Sequence, residues 1–128
     1  MPKTNSLDGT FAALRDMLNA NAKGLVVTVD RPGDYQLAAR DLTDRIGRPL
    51  FVAAVQIKKN YVSFHLIPVY ACPDLVKKLS PALRKRMQGK SCFNFTTIDP
   101  AQLKELRTVT RKGIGQLKSI ALPWARPA

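Results

Sequence analysis

The residues best suited to chemistry fall in two short runs of this chain. The first holds Gln56, Tyr61, Ser63 and His65, and the second holds Lys90, Ser91, Cys92 and Asn94. Amide, hydroxyl, imidazole, thiol and ammonium groups gathered on one surface make a hydrogen-bonding, anion-friendly ligand site. The same groups are also what an ordinary solvated sheet face carries, because half-buried strands alternate apolar and polar residues. His65 is the only histidine, with no Asp or Glu beside it in sequence, so neither acid–base work nor metal ligation has a visible partner. A zinc site needs more His, Cys or carboxylate ligands than this stretch provides. A Cys92–His65 nucleophile pair would need a third group to orient the base, and none is evident. Gly89-Lys90-Ser91 has the ending of a phosphate-binding loop, but Arg84 stands where that motif needs its first glycine. The context is also helix–loop–strand, where the motif requires strand–loop–helix. No catalytic residue, metal site or cofactor is assigned, and an enzyme has no complete catalytic set behind it.

These residues need elements to bring them together. Leu7, Phe11, Leu14 and Leu18 recur at helical spacing and predict a helix over 6–22, capped by Asn5 or Ser6 and stopped at Lys23-Gly24. Strands are expected over 25–29 and 34–40 around an Arg31-Pro32-Gly33-Asp34 turn, followed by a polar loop over 41–49. Leu50–Ile57 and Tyr61–Ile67 are the strongest strands, joined as a hairpin through Lys59-Asn60. With those two turn residues, Lys58 faces Tyr61 and Ile57 faces Val62. Ala53, Val55 and Ile57 then share the core face with Val62, Phe64 and Leu66, while Ala54, Gln56 and Lys58 share the other face with Tyr61, Ser63 and His65. Short helices are expected from Pro73 to Leu79 and from Ser80-Pro81 to Met87, then a strand at Cys92–Phe95 with both phenylalanines inward. Asp99-Pro100 opens a last helix with Leu103, Leu106, Val109, Ile114 and Leu117 as its buried stripe. This order predicts an α+β fold: a mainly antiparallel sheet with the N- and C-terminal helices on one face and the other face open. Residues 1–122 read as one domain and 123–128 as a C-terminal tail.

Two segments also carry a family resemblance. The run from Ala53 to His65, Ala-Ala-Val-Gln-Ile-Lys-Lys-Asn-Tyr-Val-Ser-Phe-His, and the run from Gly89 to Phe95, Gly-Lys-Ser-Cys-Phe-Asn-Phe, resemble the bacterial YdhG-like family, the domain of unknown function numbered 1801. The resemblance covers roughly residues 10–118. It implies a frataxin-like α+β fold, and one branch of the family resembles an intracellular iron chaperone. Iron binding of that kind depends on an acidic ridge on the first helix and strand. Here those segments offer only Asp8, Asp16 and Asp30, among Arg15, Lys23 and Arg31. Hard cations need clustered oxygen ligands, and a net positive field repels them, so metal delivery is disfavoured.

Charge supplies the remaining clue. The 128 residues include 21 Lys and Arg against 9 Asp and Glu, a formal charge of +12. Met1–Asp74 has nine basic and seven acidic residues, whereas Leu75–Ala128 has twelve and two, so the second half carries +10. That half holds two basic clusters: Arg84, Lys85 and Arg86, and a stripe of Lys104, Arg107, Arg111 and Lys118 on the outer side of the last helix. Such clusters suit anionic partners: a small anionic or polar molecule on the sheet face or, alternatively, non-specific nucleic-acid or protein binding. A solvated outer face would look the same. No helix-turn-helix or aromatic RNA-binding signature appears, so sequence-specific reading has no support. Cys72 and Cys92 lack CxxC spacing and form no disulfide framework, and no signal peptide or membrane span is evident. The expected location is the cytoplasm.

Overall fold

Phe11, Leu14, Met17 and Leu18 lie buried along one side of helix α1, Leu7–Asn19. The computed structural model describes residues 7–89, 91–117 and 126–127, so the proposed caps Asn5 and Ser6 lie outside the described residues. The helix is shorter than 6–22, and Gly24 takes a positive φ of 82° where the chain turns into the sheet.

Six antiparallel strands follow: β1 Leu25–Arg31, β2 Asp34–Thr43, β3 Pro49–Ile57, β4 Val62–Leu66, β5 Met87–Gln88 and β6 Cys92–Phe95. Their order across the sheet is β1-β2-β3-β4-β6-β5, and β7, Arg126–Pro127, pairs with β2 at Leu42 and Thr43. Three short helices, α2 Ile67–Ala71, α3 Pro73–Lys77 and α4 Pro81–Arg84, separate β4 from β5, and α5, Pro100–Gly115, lies between β6 and β7. The architecture is α+β. Among the described residues no helix is long and apolar enough to cross a membrane.

The central hairpin has the register that its alternation and two-residue turn imply. Ile57 pairs with Val62, Val55 with Phe64 and Ala53 with Leu66. Phe64 in turn faces Phe93 and Val62 faces Phe95 on β6. These side chains, with Tyr35 and Leu37 of β2, form the core face that α1 covers. Neither Lys59 nor Asn60 takes a positive φ, so the loop is not the primed turn most two-residue hairpins use. The Lys58 N–H donates to the Tyr61 carbonyl at 2.7 Å and closes it.

Two hydrogen bonds fix α1 on the sheet. The Tyr35 hydroxyl meets the Asn19 side-chain oxygen at 2.6 Å, and buried Thr10 donates to the Thr96 carbonyl at 3.1 Å. Helix α5 packs on α1, α2 and α4, burying Leu106 and Val109. Asp99 caps it, with Gln102 completing a reciprocal capping box. Glu105 braces α4: its carboxylate accepts from the Ser80 N–H at 2.7 Å and from the Ser80 hydroxyl at 2.6 Å, while Ser80 Oγ accepts from the Leu83 N–H. Glu105→Ala is therefore expected to cost about 1–2 kcal/mol in urea unfolding, the worth of charge-assisted bonds at a half-buried site.

Further stretches differ from expectation: Ile67 opens the unexpected helix α2 instead of ending a strand, and α3 stops at Lys77, short of Leu79. Residues 41–43 continue β2, because Leu42 and Thr43 find partners in β7. The loop beyond is held by Asp44, which accepts from the Ile46 and Arg48 N–H groups and pairs with the Arg48 guanidinium. The helix expected to reach Met87 stops at Arg84. Met87 and Gln88 form β5 against Phe93 and Cys92, which lets Met87 pack against the core.

Candidate functional site

Cross-strand pairing sets the open face in two polar rows. One runs Asp34, Gln56, Ser63, Asn94 across β2, β3, β4 and β6. The next runs Gln36, Ala54, His65, Cys92, Gln88 and reaches β5. Directly opposed side chains in such rows sit about 4.5–5.5 Å apart at Cβ. Gln56, Ser63, His65, Cys92 and Asn94 are thus brought together. Tyr61 stands just beyond the start of β4, at the rim. Ser91 precedes β6 and has the parity of Phe93 and Phe95, so it is no part of these rows, and its carbonyl accepts from the Leu66 N–H. Lys90 lies outside the described residues.

Asp34 and Gln36 fall in the expected strand 34–40 but are not among the candidate site residues of the sequence. Their signal is the alternation of β2, where Tyr35 and Leu37 are core and the residues between them face outward. Asp34 organises its end of the face by accepting from Gln36 at 3.0 Å, Gln56 at 3.2 Å and Arg31 at 3.2 Å. Partial burial pushes its carboxyl up, but the hydrogen bonds from Gln36, Gln56 and Arg31 together win and hold it below the usual carboxylate range.

His65 Nε2 lies 3.8 Å from Cys92 Sγ, and the thiol also meets Asn94 Oδ1 at 3.4 Å. The Phe51 ring sits edge-on to the imidazole with centroids 6.4 Å apart. Burial, with a smaller contribution from the Lys58 charge, pushes the imidazole pKa below its ordinary value. Burial also pushes the thiol up, outweighing Lys58. Both groups are accordingly neutral at pH 7, which suits hydrogen bonding and not thiolate chemistry. Among the described residues no three His, Cys, Asp or Glu side chains come together as metal ligands. Two outcomes follow. Iodoacetamide should label Cys92 more slowly at pH 7 than it labels an unhindered free thiol, as read by mass spectrometry. Unfolded His65 takes up a proton before folded His65 does, so stability should fall as pH drops through about 6.5. His65→Gln should flatten that part of the pH–stability profile.

The two groups of candidates, sheet face and basic cluster, meet at one edge. Asn60, Tyr61, Lys85, Arg86, Gln88 and Asn94 line a shallow concavity of about 250 Å³, together with Phe95 and Thr96. Tyr61 arrives there from the hairpin turn. Arg86 is held beside β6 because its carbonyl accepts from the Asn94 N–H at 2.8 Å. Two cations, a phenol and three side-chain amides converge, and no carboxylate lines the concavity. Arg84 belongs elsewhere: its guanidinium donates to the Val76 carbonyl at 2.7 Å and ties α4 to α3.

Lys104, Arg107 and Arg111 are exposed along α5, and Lys118 lies outside the described residues. The ion pairs found among the described residues all fall between Arg15 and Arg48. In the basic half, Asp99 is occupied in capping α5 and Glu105 in bracing Ser80. Its cations are therefore left without carboxylate partners among the described residues. Compared with known proteins, the chain matches no family model, no curated protein and no solved structure.

Proposed function

We propose that this domain binds a small anionic or polar ligand at the edge of its open sheet face. The ligand's anionic group would sit against Lys85, Arg86 and the Tyr61 hydroxyl. Its uncharged polar part would extend over Asn94 toward Gln56 and the His65–Cys92 pair, Ser63 in the same row being buried at 2% exposure. The observation that carries this reading is the carboxylate-free concavity where Lys85 and Arg86 meet Tyr61, Gln88 and Asn94. Charge-assisted hydrogen bonds from such a group are the stronger kind. Its volume suits a phosphoryl or carboxylate group more than an enclosed drug-sized ligand, which needs roughly 300 Å³ or more. Neutral His65 and Cys92 add donors and acceptors without adding charge.

Membership of the YdhG-like family, with its frataxin-like subtype of the α+β fold, belongs to the same proposal and rests on the two segments quoted above. Iron delivery is the weaker reading. Asp16 and Asp30, two of the three acids it would enlist, are engaged by Arg15. A thermal-shift panel at low salt tests the proposal, with inorganic phosphate, pyrophosphate, sulfate, citrate, nucleoside phosphates and divalent metals. At least one anion should raise the melting temperature progressively with its concentration, as mass action requires. Stabilisation by no anion, or by metals alone, contradicts it.

A further inference from the structure

We infer that the anion taken at this site is the phosphate of a single-stranded nucleic acid, with Tyr61 as the platform for a neighbouring base; this rests on the anion-binding reading above. Tyr61 keeps 36% of its surface exposed at the rim of the concavity holding Lys85 and Arg86. Among the described residues no ring or guanidinium stacks on it, unlike Tyr35, which lies under Arg15, or Phe64, which meets Phe93. An exposed aromatic face beside two cations is the pairing that single strands use, with backbone phosphate on the cations and an unstacked base on the ring. Duplex DNA keeps its bases stacked and leaves such a ring without a partner.

Further exposed cations lie on the helix to which the Lys85–Arg86 segment is attached. The segment that supplies Lys85 and Arg86 follows α4, which is fastened to α5 through Ser80 and Glu105. On α5, Lys104, Arg107 and Arg111 are exposed and lack carboxylate partners among the described residues. A repeating anion can use such a series, whereas a lone metabolite cannot. An anionic membrane fits less well, because surface-bound elements also insert apolar side chains. The described large hydrophobic residues with high exposure are Val27, Ile46, Tyr61 and Tyr70, so none lies between Leu75 and Leu117.

The test is fluorescence anisotropy of the full chain with a labelled twelve-nucleotide oligo(dT) at low salt. Binding should weaken with added salt, with a log–log slope of about 0.7 per phosphate neutralised. Tyr61→Ala should weaken it about tenfold or more and Tyr61→Phe distinctly less, since Phe keeps the stacking ring and loses only the hydroxyl's contact with the phosphate. Polyphosphate should compete less well than the oligonucleotide. Equal competition by polyphosphate, an unchanged affinity in Tyr61→Ala, or preference for phosphatidylserine vesicles overturns the inference. If pyrophosphate stabilises the protein but the oligonucleotide binds no more tightly than pyrophosphate, the inference fails and the anion site stands. If neither binds, both fail.

Discussion

The double substitution Lys85→Glu and Arg86→Glu is expected to lower affinity for any anionic ligand by roughly 100-fold or more. The two cations supply the positive charge that lines the concavity, and each hydrogen bond from a charged group is worth about 1.5–3 kcal/mol. Reversal removes both attractions and sets two carboxylates against the ligand. The fold should tolerate the change. Both side chains are exposed, and no side-chain hydrogen bond or ion pair of either is found among the described residues. Surface changes of that kind usually stay within about 0.5 kcal/mol. Arg84→Glu is the contrasting control. It removes the bond to the Val76 carbonyl, so it should reduce stability more than affinity. Isothermal titration calorimetry with pyrophosphate, beside thermal melts of each variant, separates the two effects.

Phe64→Ala is expected to be the most destabilising single change, costing about 3–5 kcal/mol. Phe64 is fully buried at the centre of the sheet, paired with Val55 on one side and with Phe93 on the other. Its ring meets that of Phe93 at 6.4 Å between centroids. A domain of this size has only about 5–15 kcal/mol of stability, so the melting temperature should fall by about 10 °C or more. Ser63→Ala, one residue away on the same strand, tests the facing directly. Ser63 points to the other side and makes one long hydrogen bond, 3.5 Å to the Gln56 carbonyl. Its loss should cost under about 1 kcal/mol. Comparable losses at the two positions would mean that the strand's two faces are not distinguished as described.

The facing of Phe64 and Ser63 was legible from sequence because it depends on local facts. Alternation in Ala53–Ile57 and Val62–Leu66 and a two-residue turn leave one register that puts Val55, Phe64 and Leu66 on the core face, whereas Leu50 and Val52 reach the core only through an irregularity in the β2–β3 pairing that the sequence does not announce. Cys92 and Asn94 were legible on the same ground, since Phe93 and Phe95 had to point inward. The edge of the sheet was not. Met87-Gln88 is too short to show a period, and its pairing with β6 depends on the reversal through Gly89, where φ is +74°. That reversal brings Lys85 and Arg86 to Tyr61, so a neighbourhood spanning some 25 positions of chain has no local signal. Asp34 was missed for a related reason. Its sequence neighbours, Pro32 and Gly33, say turn, and only the pairing of β2 with β3 reveals the bond from Gln56. Charge asymmetry, by contrast, was visible at once. The structure adds that the two acids of the basic half are both spent on helix ends, which is why the cations there lack carboxylate partners.

The central claim is that an anion seats between Tyr61, Lys85, Arg86 and Asn94. Titration of the uniformly 15N-labelled protein with pyrophosphate at low salt, followed by amide chemical shifts, tests it most directly. The predicted result is a saturable shift centred on the Tyr61, Arg86, Gln88 and Asn94 amides, lost in the Lys85→Glu, Arg86→Glu variant. Shifts confined to α5, or none at millimolar pyrophosphate, would contradict the account.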